Sequence, residues 1–264
     1  MKKITIIGGD RRLRITKERL EKEGFIVDTL GLYEKDNGNP ENSDVMLFPV
    51  PTTKDGKTVF CPLTERVLKL SDFDDYDGKL FLTANYKFAN KDCIDYCTTD
   101  GYALLNAVPT AEGAISFAIE NTPFTLWNSK VLVIGYGRTG KILAERLKGF
   151  KCDLTVSARK TADFALLEAN GINYCHTSEL DNTHLDYDII FNTIDFYALK
   201  ENLVTLKNTL LIDLSSKGGF DFNRAKDLGI SCKKLPGIPG KTAPQTAGEI
   251  LAKTVISLIR GEKI

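Results

Sequence analysis

The chain has 264 residues, of which 42% are hydrophobic and 27% are charged, so it can bury one large core or two ordinary ones. Its 35 Lys and Arg residues balance its 35 Asp and Glu residues, and this zero net charge argues against nucleic acid as the main ligand, because duplex binding needs an excess of cations. Only two histidines are present, so a histidine-based metal site or a histidine-dependent dehydrogenase would need His176 or His184.

The first hundred residues alternate strand-like and helix-like patterns, which is typical of an α/β unit. A β-branched run predicts a first strand that ends at Gly8 and Gly9. Apolar residues among charged ones then predict a helix over 11–23. Asp55-Gly56 predicts a tight turn in a polar, Pro-rich loop. The predicted strands of this unit cover 4–7, 25–30, 45–48, 80–83 and 103–105.

A helix predicted over 109–121 connects this unit to the rest of the chain. Pro109 suits its first turn, and Pro123 ends it. Continuous apolar runs then predict the buried parallel strands of a second α/β unit, over 131–134, 154–156, 188–191 and 210–214.

The end of the chain predicts a rigid loop over 236–240 followed by a helix over 242–260. Thr242 with Gln245 fits a capping box, Pro244 fits the first turn, and Gly261 follows the last turn. We expect this terminal helix to pack back on the first unit.

Six cysteines are spread along the chain. Cys93 and Cys97 form a CxxxC pair on a possible helix face, and without a matching second pair we interpret them as half-buried thiols and predict no metal site. The apolar run at the start ends at Gly8, and no stretch approaches the ~18 apolar residues of a membrane span. We therefore expect a cytoplasmic protein with reduced thiols and no membrane association.

A glycine motif follows the buried strand over 131–134 and opens a helix, which is the context that indicates dinucleotide binding. Its first glycine allows a tight turn, its second lets the backbone approach a pyrophosphate, and its third lets helix and strand pack closely. N–H groups at the helix start attract the anion. The candidate cofactor-binding residues are Gly135, Tyr136, Gly137, Arg138, Thr139 and Gly140.

The end of the next strand favours NADP over NAD. An NAD site places a carboxylate there for the ribose hydroxyls, but this strand ends in Ser157, Ala158, Arg159 and Lys160. Arg159 can grip a 2′-phosphate, and Lys160 or Ser157 can assist. The alternative is an exposed basic turn.

Asn192 and Thr193 end the fourth strand of the same unit, where the chain of a dinucleotide fold turns beside the nicotinamide ribose. They are candidate cofactor contacts, and strand-end capping explains them equally well.

From these motifs we predict four segments: 1–108, an N-terminal flavodoxin-like α/β domain on the substrate side; 109–128, a connecting helix and linker; 129–240, a Rossmann-type NADP-binding domain with a doubly wound parallel sheet; and 241–264, a C-terminal helix returning to the N-terminal domain.

Three polar clusters follow strands or open the terminal helix, where ligands of open α/β sheets bind. They contain Arg11 and Arg12, then Lys217, then Lys241 and Thr242. Each combines a turn, N–H groups and a cation, so together they predict a cradle for carboxylates, although each alone can be an exposed basic loop.

Neither histidine is predicted to follow a strand of the parallel core at its carboxyl end, so we assign neither to catalysis. A reaction without a strong histidine base is then attractive, such as oxidation of a dihydro ring to an aromatic one. In that reaction a hydride leaves to the nicotinamide, a ring proton leaves to a weak base or water, and aromatisation supplies the driving force.

Several motifs are spread along the whole chain. They are Gly8-Gly9-Asp10-x-Arg12, 109–114, the glycine motif with its Ser-x-Arg end, 192–194, 218–222 and, most specifically, 236–248. In these motifs the sequence resembles the A-subunit family of dipicolinate synthase along essentially its whole length. One departure is Ser216-Lys217, where the family pattern has a proline before paired glycines.

The resemblance implies NADP-linked oxidation of dihydrodipicolinate, a lysine-pathway intermediate, to dipicolinate in the mother cell of a spore-forming bacterium. It also implies that the partner is a flavoprotein-like B subunit, and we expect a homo-oligomer. Arg12 and Lys241 become the expected partners of the two substrate carboxylates and, with Thr242, the candidate catalytic residues; Arg11 and Lys217 are further substrate contacts.

Two other interpretations stay open. One is an NADP-dependent hydroxy-acid or amino-acid dehydrogenase with the same two-domain plan. The other is a non-catalytic NADP-binding subunit that assembles with and activates its partner.

Overall fold

The computed structural model describes residues 2–206 and 208–262. The chain forms two compact units. The first runs to Asn106 and includes the chain from Pro239 onward, and the second is Ala107–Ile238.

The first unit is a parallel five-stranded sheet in which apolar side chains fill both faces. Its elements are β1 (Lys3–Ile7), α1 (Arg11–Lys22), β2 (Ile26–Leu30), β3 (Val45–Leu47), β4 (Leu80–Thr83) and β5 (Asp92–Asp95). The strand order, β2-β1-β3-β4-β5, is the flavodoxin-like order, so the predicted fold of this unit is confirmed. Asp10 is the N-cap of α1, and its carboxylate accepts the N–H of Arg12.

The cysteine pair does not share a helix face, which corrects the sequence interpretation. Cys93 lies on β5, and Cys97 lies in the short 3-10 turn that follows it. Burial raises the pKa of the Cys97 thiol to about 12, which keeps it protonated.

Helix α2 (Asp100–Glu120) replaces two predicted elements. The strand predicted over 103–105 is helical, and Pro109 lies inside the helix instead of in its first turn. Residues 103–107 are mostly Ala and Leu, which are strong helix formers, so the helix begins before the proline and continues through it.

The second unit is a six-stranded parallel sheet with helices between its strands. Its elements are β6 (Lys130–Ile134), α3 (Arg138–Lys148), β7 (Asp153–Ala158), α4 (Thr161–Ala169), β8 (Asn173–His176), β9 (Ile189–Asn192), β10 (Leu210–Asp213), α5 (Phe222–Asp227) and β11 (Ser231–Lys234). The strand order, β11-β10-β9-β6-β7-β8, is the doubly wound Rossmann order, so the prediction for this unit is also confirmed. The central strands are continuous apolar runs buried on both faces.

The end of the chain forms two helices, α6 (Ile238–Thr242) and α7 (Pro244–Arg260). Thr242 ends α6 and therefore does not cap α7, whose N-cap is Ala243, while Pro244 occupies the first turn as predicted.

Helix α7 packs on α1, as predicted for a helix that returns to the first unit. The hydroxyl of Thr16 lies 3.0 Å from the carbonyl oxygens of both Arg12 and Gly248. A Cβ at Gly248 would lie 2.6 Å from the Arg12 carbonyl oxygen, so the two helices touch at this glycine. Among the helices of the described residues, none is long and apolar enough to cross a membrane.

Candidate functional site

The glycine motif forms a tight turn between β6 and α3. Gly135 has φ of 97°, and Gly140 packs so closely that a Cβ there would overlap the Gly135 carbonyl oxygen. A Cβ at Gly137, the N-cap of α3, would meet nothing within 4 Å. The outer two glycines are therefore required by packing, and the middle one leaves open space at the start of a helix, which fits a pyrophosphate.

The other residues of the motif border this turn. Tyr136 is half-buried, and the Lys141 ammonium lies 5.1 Å from the centre of its ring. Arg138 is exposed and Thr139 is half-buried in the first turn of α3.

The three residues at the end of β7 that were predicted to hold a 2′-phosphate differ in their exposure to solvent. Arg159 and Lys160 are exposed, but Ser157 is fully buried. The Ser157 hydroxyl lies 3.3 Å from the Gly135 nitrogen and 3.1 Å from the Thr177 hydroxyl. Ser157 therefore holds the glycine turn, and its predicted contact with a phosphate is corrected.

Arg159 lines a pocket of about 320 Å³ at the carboxyl ends of β7, β8 and β9. Within the described part of the chain Arg159 forms no ion pair, so its charge is available to an anion. The other lining residues include His176, Ser178, Ile194, Asp195 and Phe196.

The position of His176 was predicted wrongly. The pattern over 173–177 is strand-like, but this strand, β8, belongs to the parallel sheet and ends at His176. Counting β8 as the third strand of a Rossmann half would have placed His176 at the ligand edge. His184 is exposed in the segment that precedes β9.

Asn192 and Thr193 connect strand ends through their side chains. The Asn192 amide donates to Asp213 at 2.9 Å and to the Ile194 carbonyl at 2.7 Å, and Asn192 is fully buried. Thr193 donates to the Ile134 carbonyl oxygen at 2.9 Å. These contacts match the strand-end capping that the sequence analysis gave as the alternative to a cofactor contact.

The loop over 215–219 does not offer its amides to a ligand. Asp213 accepts the N–H groups of Ser215 and Gly219, each at 3.0 Å. Asp195 accepts the Lys217 N–H at 2.8 Å, and the Ser215 hydroxyl accepts the Gly218 N–H at 3.0 Å.

This loop was predicted as part of an anion cradle, and the internal bonds of its N–H groups correct that prediction. The exposed Lys217 side chain is the part of the loop that a ligand could contact. Burial opposes ionisation of Asp195, but hydrogen bonds from Lys217 and Ser216 outweigh it and hold the pKa of Asp195 below its usual range.

In the first unit, Asp10 and Arg12 form a largely buried ion pair after β1. Arg12 is 4% exposed. Its Nε donates to Asp10 Oδ1 at 2.9 Å, and its Nη2 donates to Asp10 Oδ2 at 2.8 Å and to the Val50 carbonyl at 2.7 Å. Burial alone would lower the pKa of Arg12, but the hydrogen bond and charge of Asp10 outweigh it, so that pKa is raised.

Arg12 was predicted as a direct partner of a substrate carboxylate, and the structure corrects how it can act. Asp10 already neutralises the guanidinium charge. The bonds use Nε and Nη2, and among the described residues Nη1 donates no hydrogen bond. A substrate can therefore meet Arg12 only through Nη1.

The first and third polar clusters lie together. A Cβ at Gly240 would lie 2.7 Å from Asp10 Oδ2 and 2.8 Å from Arg12 Nε, so the backbone at Gly240 rests on the ion pair. Lys241 and Thr242 follow Gly240 at the end of α6 and are exposed, as is Arg11 at the start of α1. Lys217 belongs to the second unit.

The whole chain is similar to the A subunit of dipicolinate synthase. A family model described as the N-terminal domain of the dipicolinate synthase A subunit matches residues 3–78. The dipicolinate synthase A subunit of Bacillus subtilis (strain 168) is 33% identical over 285 residues, which cover 97% of this chain and 95% of the relative.

Solved structures of dipicolinate synthase A subunits are also similar to this chain. The dipicolinate synthase A subunit from Bacillus halodurans superimposes with a TM-score of 0.90 at 27% identity, covering 98% of this chain and 97% of that one. The A chain of the Bacillus subtilis enzyme gives 0.87 at 29% identity, covering 98% and 96%. D-lactate dehydrogenase from Escherichia coli, at 14% identity with a TM-score of 0.60 and 98% of each chain covered, shares the fold.

Proposed function

The chain belongs to the A-subunit family of dipicolinate synthase, and we propose that it oxidises dihydrodipicolinate to dipicolinate (pyridine-2,6-dicarboxylate) with NADP as the hydride acceptor. Its relation to a synthase subunit implies a multi-subunit complex. We propose that the complex contains a homo-oligomer of this chain together with a flavoprotein-like B subunit, and that it works in the cytoplasm of a sporulating mother cell.

The observation that carries the cofactor assignment is the combination of the open glycine turn with Arg159. Gly137 leaves space for a pyrophosphate, and the neighbouring strand ends in an exposed Arg159 where an NAD site has a carboxylate. Arg159 would hold the 2′-phosphate and Lys160 would assist. Bound there, NADP supplies the hydride acceptor.

The substrate is a dicarboxylate, and the adjoining clusters of the first unit offer it cations. We assign one carboxylate to the exposed Lys241 ammonium and the other to Nη1 of Arg12. Asp10 fixes the Arg12 guanidinium, and Gly240 on that ion pair fixes the start of the Lys241 side chain. Arg11, Thr242 and Lys217 are further candidate contacts.

Conversion of the dihydropyridine ring to a pyridine ring removes one hydride and one proton. NADP held at this site would accept the hydride at its nicotinamide ring, and the proton would pass to water or to a weak base. The aromatic product supplies driving force, so the site needs no strong base. The residues of this chain then act mainly by orienting the ring through its two carboxylates.

The test uses the purified full chain with dihydrodipicolinate generated enzymatically and with NADP or NAD. The ultraviolet absorbance of dipicolinate should appear together with NADPH. Lys241→Ala should raise KM for the substrate about tenfold, as expected for a lost contact with a carboxylate, and should leave the Kd of NADP unchanged. Lys253→Ala, an exposed lysine on α7, is the matched control.

Turnover that requires an added B subunit, despite NADP binding, would contradict catalysis by this chain alone and favour the assembly role. Oxidation of hydroxy acids or amino acids in place of dihydrodipicolinate would replace the proposed substrate. Equal weakening of substrate and NADP binding in Lys241→Ala would show that Lys241 does not belong to the substrate site alone.

A further inference from the structure

We propose that His176 is a second specificity-determining residue, which donates a hydrogen bond from Nε2 to the 2′-phosphate of NADP beside Arg159. This inference rests on the proposed cofactor. It assigns a role to a histidine that the sequence pattern had set aside.

The strand register brings His176 next to Arg159. In the β7–β8 ladder Ala158 pairs with His176, and Arg159 is the residue directly after Ala158. Both side chains line the same pocket of about 320 Å³. A phosphate that enters this pocket therefore has both side chains along its walls.

The hydrogen bonds of the ring define which nitrogen can donate. The Ser178 N–H donates to Nδ1 of His176 at 3.2 Å, and the Ser178 hydroxyl lies 2.6 Å from the same nitrogen. A backbone N–H can only donate, so Nδ1 is an acceptor and the proton of the neutral ring is on Nε2. Among the described residues Nε2 makes no hydrogen bond, so it remains for a ligand.

Two further contacts position His176, one through its backbone and one through its ring. The His176 N–H donates to Glu179 at 3.3 Å, which completes a capping box with the Nδ1 contact. The Phe164 ring lies 6.1 Å from the imidazole, and Phe164 in turn stacks on Tyr174 at 5.2 Å. A donor held in this way loses little freedom when a ligand binds.

The charges in the pocket favour a phosphate at this point. Asp195 also lines the pocket, but its carboxylate accepts hydrogen bonds from Ser216 and Lys217. Arg159 has no acidic partner in the described structure. Because a hydrogen bond to a charged oxygen is stronger than one to a hydroxyl, the Nε2 donor should favour NADP over NAD.

The experiment is calorimetric titration of the full chain with NADP, NAD and 2′,5′-ADP. The test variant is His176→Asn, because an Asn side chain can keep the acceptor near Nδ1 for the Ser178 N–H but is too short to reach the Nε2 position. His176→Gln, which can place an amide donor near the Nε2 position, is the rescue variant. The other histidine, exposed in the wild-type chain, gives the matched control His184→Asn.

We expect His176→Asn to raise the Kd of NADP and 2′,5′-ADP about tenfold with less than a twofold change for NAD. His176→Gln should recover part of the loss, and His184→Asn should resemble wild type. Equal changes for NADP and NAD, or no change in His176→Asn, would overturn the inference. A wild-type chain that does not prefer NADP would contradict the proposed cofactor itself, whereas a preference of unchanged size in His176→Asn would reject only the role of His176.

Discussion

The two units place cations at the carboxyl ends of their parallel strands in opposite ways. In the first unit the Arg12 guanidinium is buried, and Asp10 and the Val50 carbonyl bind it from within the protein. In the second unit Arg159 is exposed, lines a pocket and has no ion pair among the described residues.

The contrast teaches that a cation at a strand end is not by itself a ligand site. Asp10 and Val50 hold the Arg12 guanidinium beside Gly240 and leave only its Nη1 for a ligand, whereas Arg159 has its whole charge available to an incoming anion. Lys217 combines a group that the protein already binds with one that is open to a ligand. Its backbone N–H donates to Asp195, while its side chain is exposed.

In the second unit, substitutions in the glycine turn should have the largest effects on stability and on NADP binding. Gly140→Ala should lower the free energy of unfolding of this unit by more than about 2 kcal/mol, because a Cβ there overlaps backbone that cannot move independently. Urea unfolding followed by circular dichroism measures this loss.

Gly137→Ala is the matched variant, since a Cβ there meets nothing within 4 Å. It should change the free energy of unfolding by less than about 0.5 kcal/mol and weaken NADP binding about tenfold or more, because the methyl group fills the space in front of helix α3. NADP binding equal to that of wild type would place the cofactor elsewhere.

The Asp10–Arg12 pair gives the corresponding effect in the first unit. Asp10→Asn keeps a helix cap but removes the charge that compensates a buried guanidinium, so it should destabilise the chain by about 3 kcal/mol. Asp28→Asn, which breaks a partly exposed pair with Lys3 at 2.8 Å, should cost less than about 1 kcal/mol.

Thermal unfolding of the two variants measures how much more stability is lost when the partner of a buried arginine loses its charge than when a more exposed pair is broken. NADP affinity should be unchanged in the folded Asp10→Asn protein. Similar stability losses in both variants would mean that Arg12 is not held as the structure shows.

Asp195 gives the smallest expected effect, and its sign follows from its lowered pKa. A carboxylate whose pKa is lower in the folded state stabilises the protein above its unfolded pKa of about 3.9, and the contribution is lost as the pH falls through the folded value. In the exposed setting of Asp195 we expect less than about 1 kcal/mol.

Stability measured as a function of pH should therefore decline less steeply below about pH 4 in Asp195→Asn than in wild type. Asp221→Asn, which changes the N-cap of α5 in the same unit, serves as the control. Identical pH profiles for wild type and Asp195→Asn would show that the bonds to Ser216 and Lys217 contribute nothing measurable.

Much of the fold could be predicted because its signals are local. Runs of apolar residues mark the buried strands, and the glycine motif marks the strand-to-helix turn of a Rossmann unit. The errors arose where a local signal was ambiguous: Pro109 indicated a helix start but lies inside α2, and Thr242 indicated a cap but ends α6.

The site was harder to predict because its determining contacts join distant parts of the chain. Arg12 bonds to Val50, 38 residues away, and the Lys217 N–H bonds to Asp195, 22 residues away. Sequence patterns identified these cations and amides as candidates, but only the folded structure shows which of them already have partners. Ser157 was misassigned for the same reason, since Thr177 lies 20 residues from it.

The most direct test of the contrast between the two units is the ratio of the Kd of NAD to that of NADP, measured by calorimetry for wild type and Arg159→Ala. We expect wild type to bind NADP at least about tenfold more tightly than NAD and Arg159→Ala to reduce that preference about tenfold or more, because one charged hydrogen-bond partner contributes about 1.5–3 kcal/mol. Arg224→Ala, which removes an arginine paired with Glu201, should keep it. Equal affinities in wild type, or a preference of unchanged size in Arg159→Ala, would contradict the assignment of this exposed cation to the cofactor.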